Sequence, residues 1–86
     1  MKNVDFIKII LITYGYFKNI EVSENNKTYD FITYDIFAYN PITEDQIKIH
    51  GDSFSQAIQL LLKYFYSINA EPYSVWSDNP TIELKK

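Results

Sequence analysis

The chain has 86 residues, 47% of them hydrophobic and 22% charged, which fits one domain over residues 1–86 with a single modest core. It has no Cys and one His, which excludes a disulfide framework, a thiolate nucleophile and a Cys/His zinc site. The net charge is −3, every cation is a Lys, and the only adjacent pair is Lys85–Lys86, so there is no basic patch of the kind nucleic-acid-binding domains use.

The apolar run over residues 6–17 is interrupted by Lys8. It falls short of the about 20 residues a bilayer span requires. Asp5 sits early and no small-residue cleavage site follows, so the run does not read as a signal peptide. The expected compartment is the cytoplasm. Val4, Ile7, Leu11 and Tyr14 recur at helical spacing, with Asn3 as N-cap, Asp5 in the first turn and Gly15 as the left-handed stop. The β-branched isoleucines also fit a strand. Ile9 and Ile12 fall on the side of Asp5 and Lys8, so this element is apolar nearly all round and requires cover from the tail, the second helix or a partner.

Residues 17–24 read as a strand with Ile20 and Val22 on one face. Glu24, Asn25, Asn26 and Lys27 form a polar turn, because Asn tolerates positive φ. A long strand follows over residues 28–39 and is broken by Asn40-Pro41. Residues 42–45 form a loop, and residues 46–50 a third strand with Ile47 and Ile49 on one side. Ser53, Phe54, Ser55 and Gln56 make a capping box for the second helix. Its apolar stripe is Phe54, Ala57, Ile58, Leu61, Phe65 and Ile68, and Asn69 and Pro72 end it. The tail over residues 73–86 has a candidate short strand at 81–84. The expected fold class is α+β: helix, three-stranded antiparallel meander, helix, with both helices on one sheet face. The core face would carry Ile20, Val22, Ile32, Ile36, Ala38, Ile47 and Ile49.

Strand alternation then sorts the rings, of which the chain has eight Tyr, six Phe and one Trp. Tyr29, Phe31, Thr33, Asp35, Phe37 and Tyr39 point away from the helices. Asn19 and Glu21 lie beside them on the first strand, and Gln46, Lys48 and His50 on the third. Three covers suit those rings: the tail through Tyr73, Val75 and Trp76, a second copy of the chain, or another protein. His50, Gly51 and Asp52 resemble an acid–base fragment, but His50 reads as a polar strand-end residue and Asp52 as a turn residue. Catalytic residues, metal ligands and cofactors are all expected to be none. A ring-bearing sheet also resembles single-strand RNA platforms, but those carry positive potential, and here Glu21 and Asp35 oppose Lys48. A nucleic-acid-binding module therefore ranks third.

This short, acidic chain without Cys or Arg resembles the small phage-encoded anti-CRISPR proteins, and in outline the compact inhibitors of type II-A RNA-guided nucleases. The likeness lies in the element order, an early Asn before a short helix, and a closing Thr-Ile-x-Leu-Lys-like strand matched by Thr81-Ile82-Glu83-Leu84-Lys85. The resemblance implies an acidic surface that occupies the basic groove where the nuclease reads its PAM duplex with paired Arg side chains. The family's acidic hairpin loop maps onto Glu44 and Asp45, and its acidic run after the second helix is reduced here to Glu71 and Asp78. The expected function is non-enzymatic binding of a protein partner, as an inhibitor of a bacterial defence protein. Glu44, Asp45, Glu71 and Asp78 would supply charge, and Tyr29, Phe31, Asp35, Phe37, Tyr39 and Trp76 the remaining contacts. The alternative is a homo-oligomeric accessory protein joined through the same sheet face.

Overall fold

A computed structural model describes residues 2–28 and 30–72. The elements are α1 Asn3–Thr13, β1 Lys18–Thr28, β2 Phe31–Asn40, β3 Asp45–Gly51 and α2 Phe54–Ser67. The strands form an antiparallel sheet in the order β1-β2-β3. This is the expected α+β helix–meander–helix. The tail strand expected at 81–84 lies outside the described residues.

The first element is a helix, and Gly15 ends it at φ 91. The Tyr16 N–H donates to the Leu11 carbonyl (2.8 Å) and the Gly15 N–H to that of Ile12 (3.0 Å), the paired bonds of a Schellman motif. α2 ends in the same way. Asn69 takes φ 56, the Ala70 N–H donates to the Phe65 carbonyl (2.8 Å), and the Asn69 N–H to that of Tyr66 (3.1 Å). The helix starts differ from expectation in detail. Lys2, not Asn3, occupies the N-cap position of α1 and supplies no side-chain cap. Asn3 instead donates from Nδ2 to the Tyr34 hydroxyl at 3.0 Å. At α2, Ser53 Oγ accepts from the Gln56 N–H (3.0 Å), but Gln56 Oε1 accepts from the Asp52 N–H (2.6 Å), one residue before the position a capping box predicts.

The first hairpin is longer than its composition suggests. β1 continues through the polar stretch predicted as a turn, pairing Glu24 with Tyr34, Asn25 with Thr33 and Asn26 with Ile32 before a second irregularity between Asn26 and Thr28. Pairing satisfies backbone groups in register, and two side-chain bonds favour it. Asn25 Nδ2 donates to Asp35 Oδ2 at 2.9 Å, and the Tyr34 hydroxyl donates to Glu24 Oε2 at 2.7 Å. Asn does adopt positive φ in this strand, but at Asn19 (φ 54), inside an irregularity between Lys18 and Glu21. The extra residue brings Lys18 opposite Tyr39, where Asn19 was expected.

Both helices cover one face of the sheet. Ile7 and Leu11 of α1, Ala57, Leu61 and Phe65 of α2, and Tyr16, Tyr34, Ile36, Ala38 and Ile47 form one buried cluster, with Ile20, Val22, Ile32 and Ile49 packed against it. The Phe6 and Phe54 rings lie 6.0 Å apart, and Tyr14 stacks on Phe65 at 4.3 Å, so the helices run side by side in the same direction. Much of the ring surplus is therefore core, centred on Phe65 and its neighbours Tyr14, Tyr16 and Tyr64. Gly51 is needed where α2 meets β3. A Cβ there would lie 2.6 Å from Ala57 Cα, inside any real contact distance.

Candidate partner-binding face

No described helix packs on the other face of the sheet. Its side chains follow from the register. Lys18, Tyr39 and Gln46 form one row across the strands, Glu21, Phe37 and Lys48 the next, and Ser23, Asp35 and His50 the third. Asn25 and Thr33 pair beyond these, and Phe31 opens β2 with 44% of its surface exposed. Phe37 and Tyr39 are half-buried. An open depression of about 440 Å³ lies over the two middle rows, lined by Glu21, Ser23, Asp35, Phe37, Lys48 and His50 among others. Among the described residues, the charged groups of Glu21 and Lys48 have no hydrogen-bond or salt-bridge partner. Thr33 is 2% exposed, and its hydroxyl has no partner there either.

His50 has a carboxylate partner at each ring nitrogen. Its Nδ1 lies 2.7 Å from Asp35 Oδ1 and its Nε2 lies 3.1 Å from Asp52 Oδ1. Asp35 is held from its other oxygen by Asn25. The bond to Asp35, then that to Asp52, raises the His50 pKa above the ordinary His value. His50 is the exposed polar strand-end residue expected and Asp52 lies in the turn that follows, and the two contacts to the ring are what strand register adds. The spacing of His50, Gly51 and Asp52 was visible in the sequence. The missing signal was the β2–β3 register, which sets Asp35 beside them.

The sequence-predicted site residues separate. Phe31, Asp35, Phe37 and Tyr39 share the outer face along β2. Glu44 is exposed in the β2–β3 turn at φ 63, its N–H bound to the Asn40 carbonyl at 2.8 Å. Asn40 shapes that turn, since its Oδ1 accepts from the N–H groups of Ile42 (2.9 Å) and Thr43 (3.1 Å). Asp45, the neighbour of Glu44, is committed inward. Its Oδ2 accepts from the hydroxyls of Tyr16 and Tyr64, each at 2.6 Å. Burial first, then this bond, holds the Tyr16 hydroxyl far above the ordinary phenol range and pushes Tyr64 up to about 12. Glu71 is exposed just past the end of α2. Tyr29, Trp76 and Asp78 lie outside the described residues.

No family model, curated protein or solved structure matches this chain. No described helix is long and apolar enough to cross a membrane. Among the described residues, no group of three or more His, Cys, Asp or Glu could hold a metal ion. His50, Asp35 and Asp52 form a hydrogen-bonded charge cluster.

Proposed function

We propose that this chain is a non-enzymatic protein-binding domain whose outer sheet face is the contact surface. The observation that carries the reading is the division of the sheet. Both helices pack on one face, while Phe31, Phe37 and Tyr39 stand on the other among Lys18, Glu21, Asp35, Lys48 and His50. Rings ringed by polar groups are what protein contact patches present. The mixed charge and the two carboxylates on β1 and β2 favour a protein over a nucleic-acid backbone. The finer reading is a cytoplasmic phage or mobile-element inhibitor of a bacterial defence protein, in the manner of the anti-CRISPR proteins, with the exposed Glu44 and Glu71 adding negative charge.

The test is affinity capture from bacterial lysate with the wild type and with a Phe31→Ala/Phe37→Ala/Glu21→Lys variant, both verified as folded by circular dichroism. A partner captured by the first and lost by the second supports the face as the contact. A partner retained by both removes it. For the finer reading, a cleavage assay with a purified type II-A RNA-guided nuclease decides, and undiminished cleavage under excess protein rejects that target. Asp45 is unsuitable for such tests, because its carboxylate holds two tyrosines in the fold. Glu44→Lys probes the loop instead.

A second reading, self-association through the same face, draws on its charge layout. Lys18 and Lys48 lie towards one end with Glu21 in the row of Lys48, and Asp35 and Asp52 flank His50 towards the other. A copy related by a two-fold axis running across the strands would set unlike charges opposite each other. Light scattering at micromolar concentration separates the readings, since a monomer rejects the second.

A further inference from the structure

A neutral imidazole has one N–H, so it can donate to one acceptor only. His50 has a carboxylate oxygen against each ring nitrogen, at 2.7 Å and 3.1 Å. Both contacts are hydrogen bonds only when the ring is an imidazolium. We infer that His50 is a proton-controlled clasp that sets the charge of the outer sheet face, so that a basic partner binds more tightly once the clasp has released its proton.

The geometry indicates which half opens. Asp35 lies on β2, at the shorter distance, and Asn25 on β1 fixes its second oxygen at 2.9 Å. Asp52 lies in the link between β3 and α2, at the longer distance. On losing a proton, the ring keeps its Nδ1–H on Asp35 and turns the Nε2 lone pair toward the Asp52 carboxylate. Two acceptors then face each other, and Asp52 leaves. The charged groups around the ring are Asp35 from β2, Asp52 from the link, Glu21 from β1 and Lys48 from β3, with Lys18 further along β1. With the clasp closed, Lys18, Lys48 and the imidazolium balance Glu21, Asp35 and Asp52. With it open, the balance tips by one negative charge, and Asp52 becomes available to a cation. A raised folded-state pKa means the clasp stabilises the fold below the ordinary His value and loses that contribution as pH rises through the raised one.

The clasp can be tested without any partner, while its effect on binding rests on the proposed function. The chain has one His, so its ring proton signals in NMR are unambiguous. The expected result is a His50 midpoint above 6.5 that falls in Asp35→Asn and in Asp52→Asn, with the backbone amides of Asp52 and Ser53 titrating at the wild-type midpoint. A midpoint at the ordinary value, or amides that do not follow it, overturns the clasp. Fluorescence anisotropy with an oligo-arginine peptide then reads the consequence. Affinity should rise as pH passes the midpoint, and this pH dependence should vanish in His50→Gln. If His50 and Asp52 co-titrate but peptide affinity is flat, the regulatory role is overturned. The lysate capture with the ring variant judges the partner-binding reading separately.

Discussion

At the scale of single residues, the most consequential group is the Asp45 carboxylate. A loop acid in the sequence becomes the common acceptor for Tyr16 and Tyr64. Bonds to a charged acceptor are worth about 1.5–3 kcal/mol, and leaving a buried hydroxyl unpaired carries its own penalty. Asp45→Ala should therefore lower unfolding stability by about 2–4 kcal/mol in a urea titration, against a few tenths for Glu44→Ala. A cost under about 1 kcal/mol would mean the two tyrosines find other acceptors. The same pair sets an alkaline limit. Tyr64 has its pKa pushed up to about 12, and an unfolded tyrosine ionises near 10. The stability these hydroxyls contribute is complete below pH 10 and falls as pH rises through the folded value, so ultraviolet tyrosine titration should show a late, cooperative step that coincides with unfolding. Thr33 makes the opposite case. Its hydroxyl is buried and unpartnered among the described residues. Thr33→Val should raise stability by about 1 kcal/mol, measured the same way, and a loss of that size would reveal an acceptor.

At the scale of elements, legibility tracked how local the deciding interactions are. α2 was readable because its cap, its stripe and its Asn69 stop each rest on contacts between residues close in sequence. The Gly15 stop of α1 was readable for the same reason. The extent of β1 was not, because Asn and Lys composition signals a turn, while the pairing that overrides it comes from Asp35 and Tyr34 on the next strand. The inward role of Asp45 was hidden by distance, since its partners stand 29 and 19 residues away. One signal was present. Tyr16 directly follows the glycine stop, the position that a Schellman motif packs back onto its helix, and a buried Tyr requires an acceptor. The α2–β3 contact adds a test of its own. Gly51→Ala forces a methyl against the Ala57 backbone and should cost about 1–3 kcal/mol, seen as a lower urea midpoint with unchanged slope.

At the scale of the molecule, the ring surplus divides between two tasks. Tyr14, Tyr16, Tyr64 and Phe65 make the helical layer cohere, and Phe31, Phe37 and Tyr39 remain on the far side of the sheet. Alternation along β2 was enough to predict which rings go outward, so the candidate face was largely legible. Its charge was less so. The irregularity at Asn19 adds Lys18 to a face that strict alternation leaves with Lys48 alone, and the clasp at His50 depends on strand register.

One oxygen has a wider reach than its bonds suggest. Asp45 Oδ2 is where Tyr16 just past the Gly15 stop of α1, the last turn of α2 and the start of β3 converge. Three segments distant in sequence thus share one fastening, and they should open together in native-state hydrogen exchange. The amides of Tyr16, Ile47 and Ile68 should exchange with a common free energy in the wild type. In Asp45→Asn that shared value should fall for all three together, while the far end of the β1–β2 hairpin keeps its own.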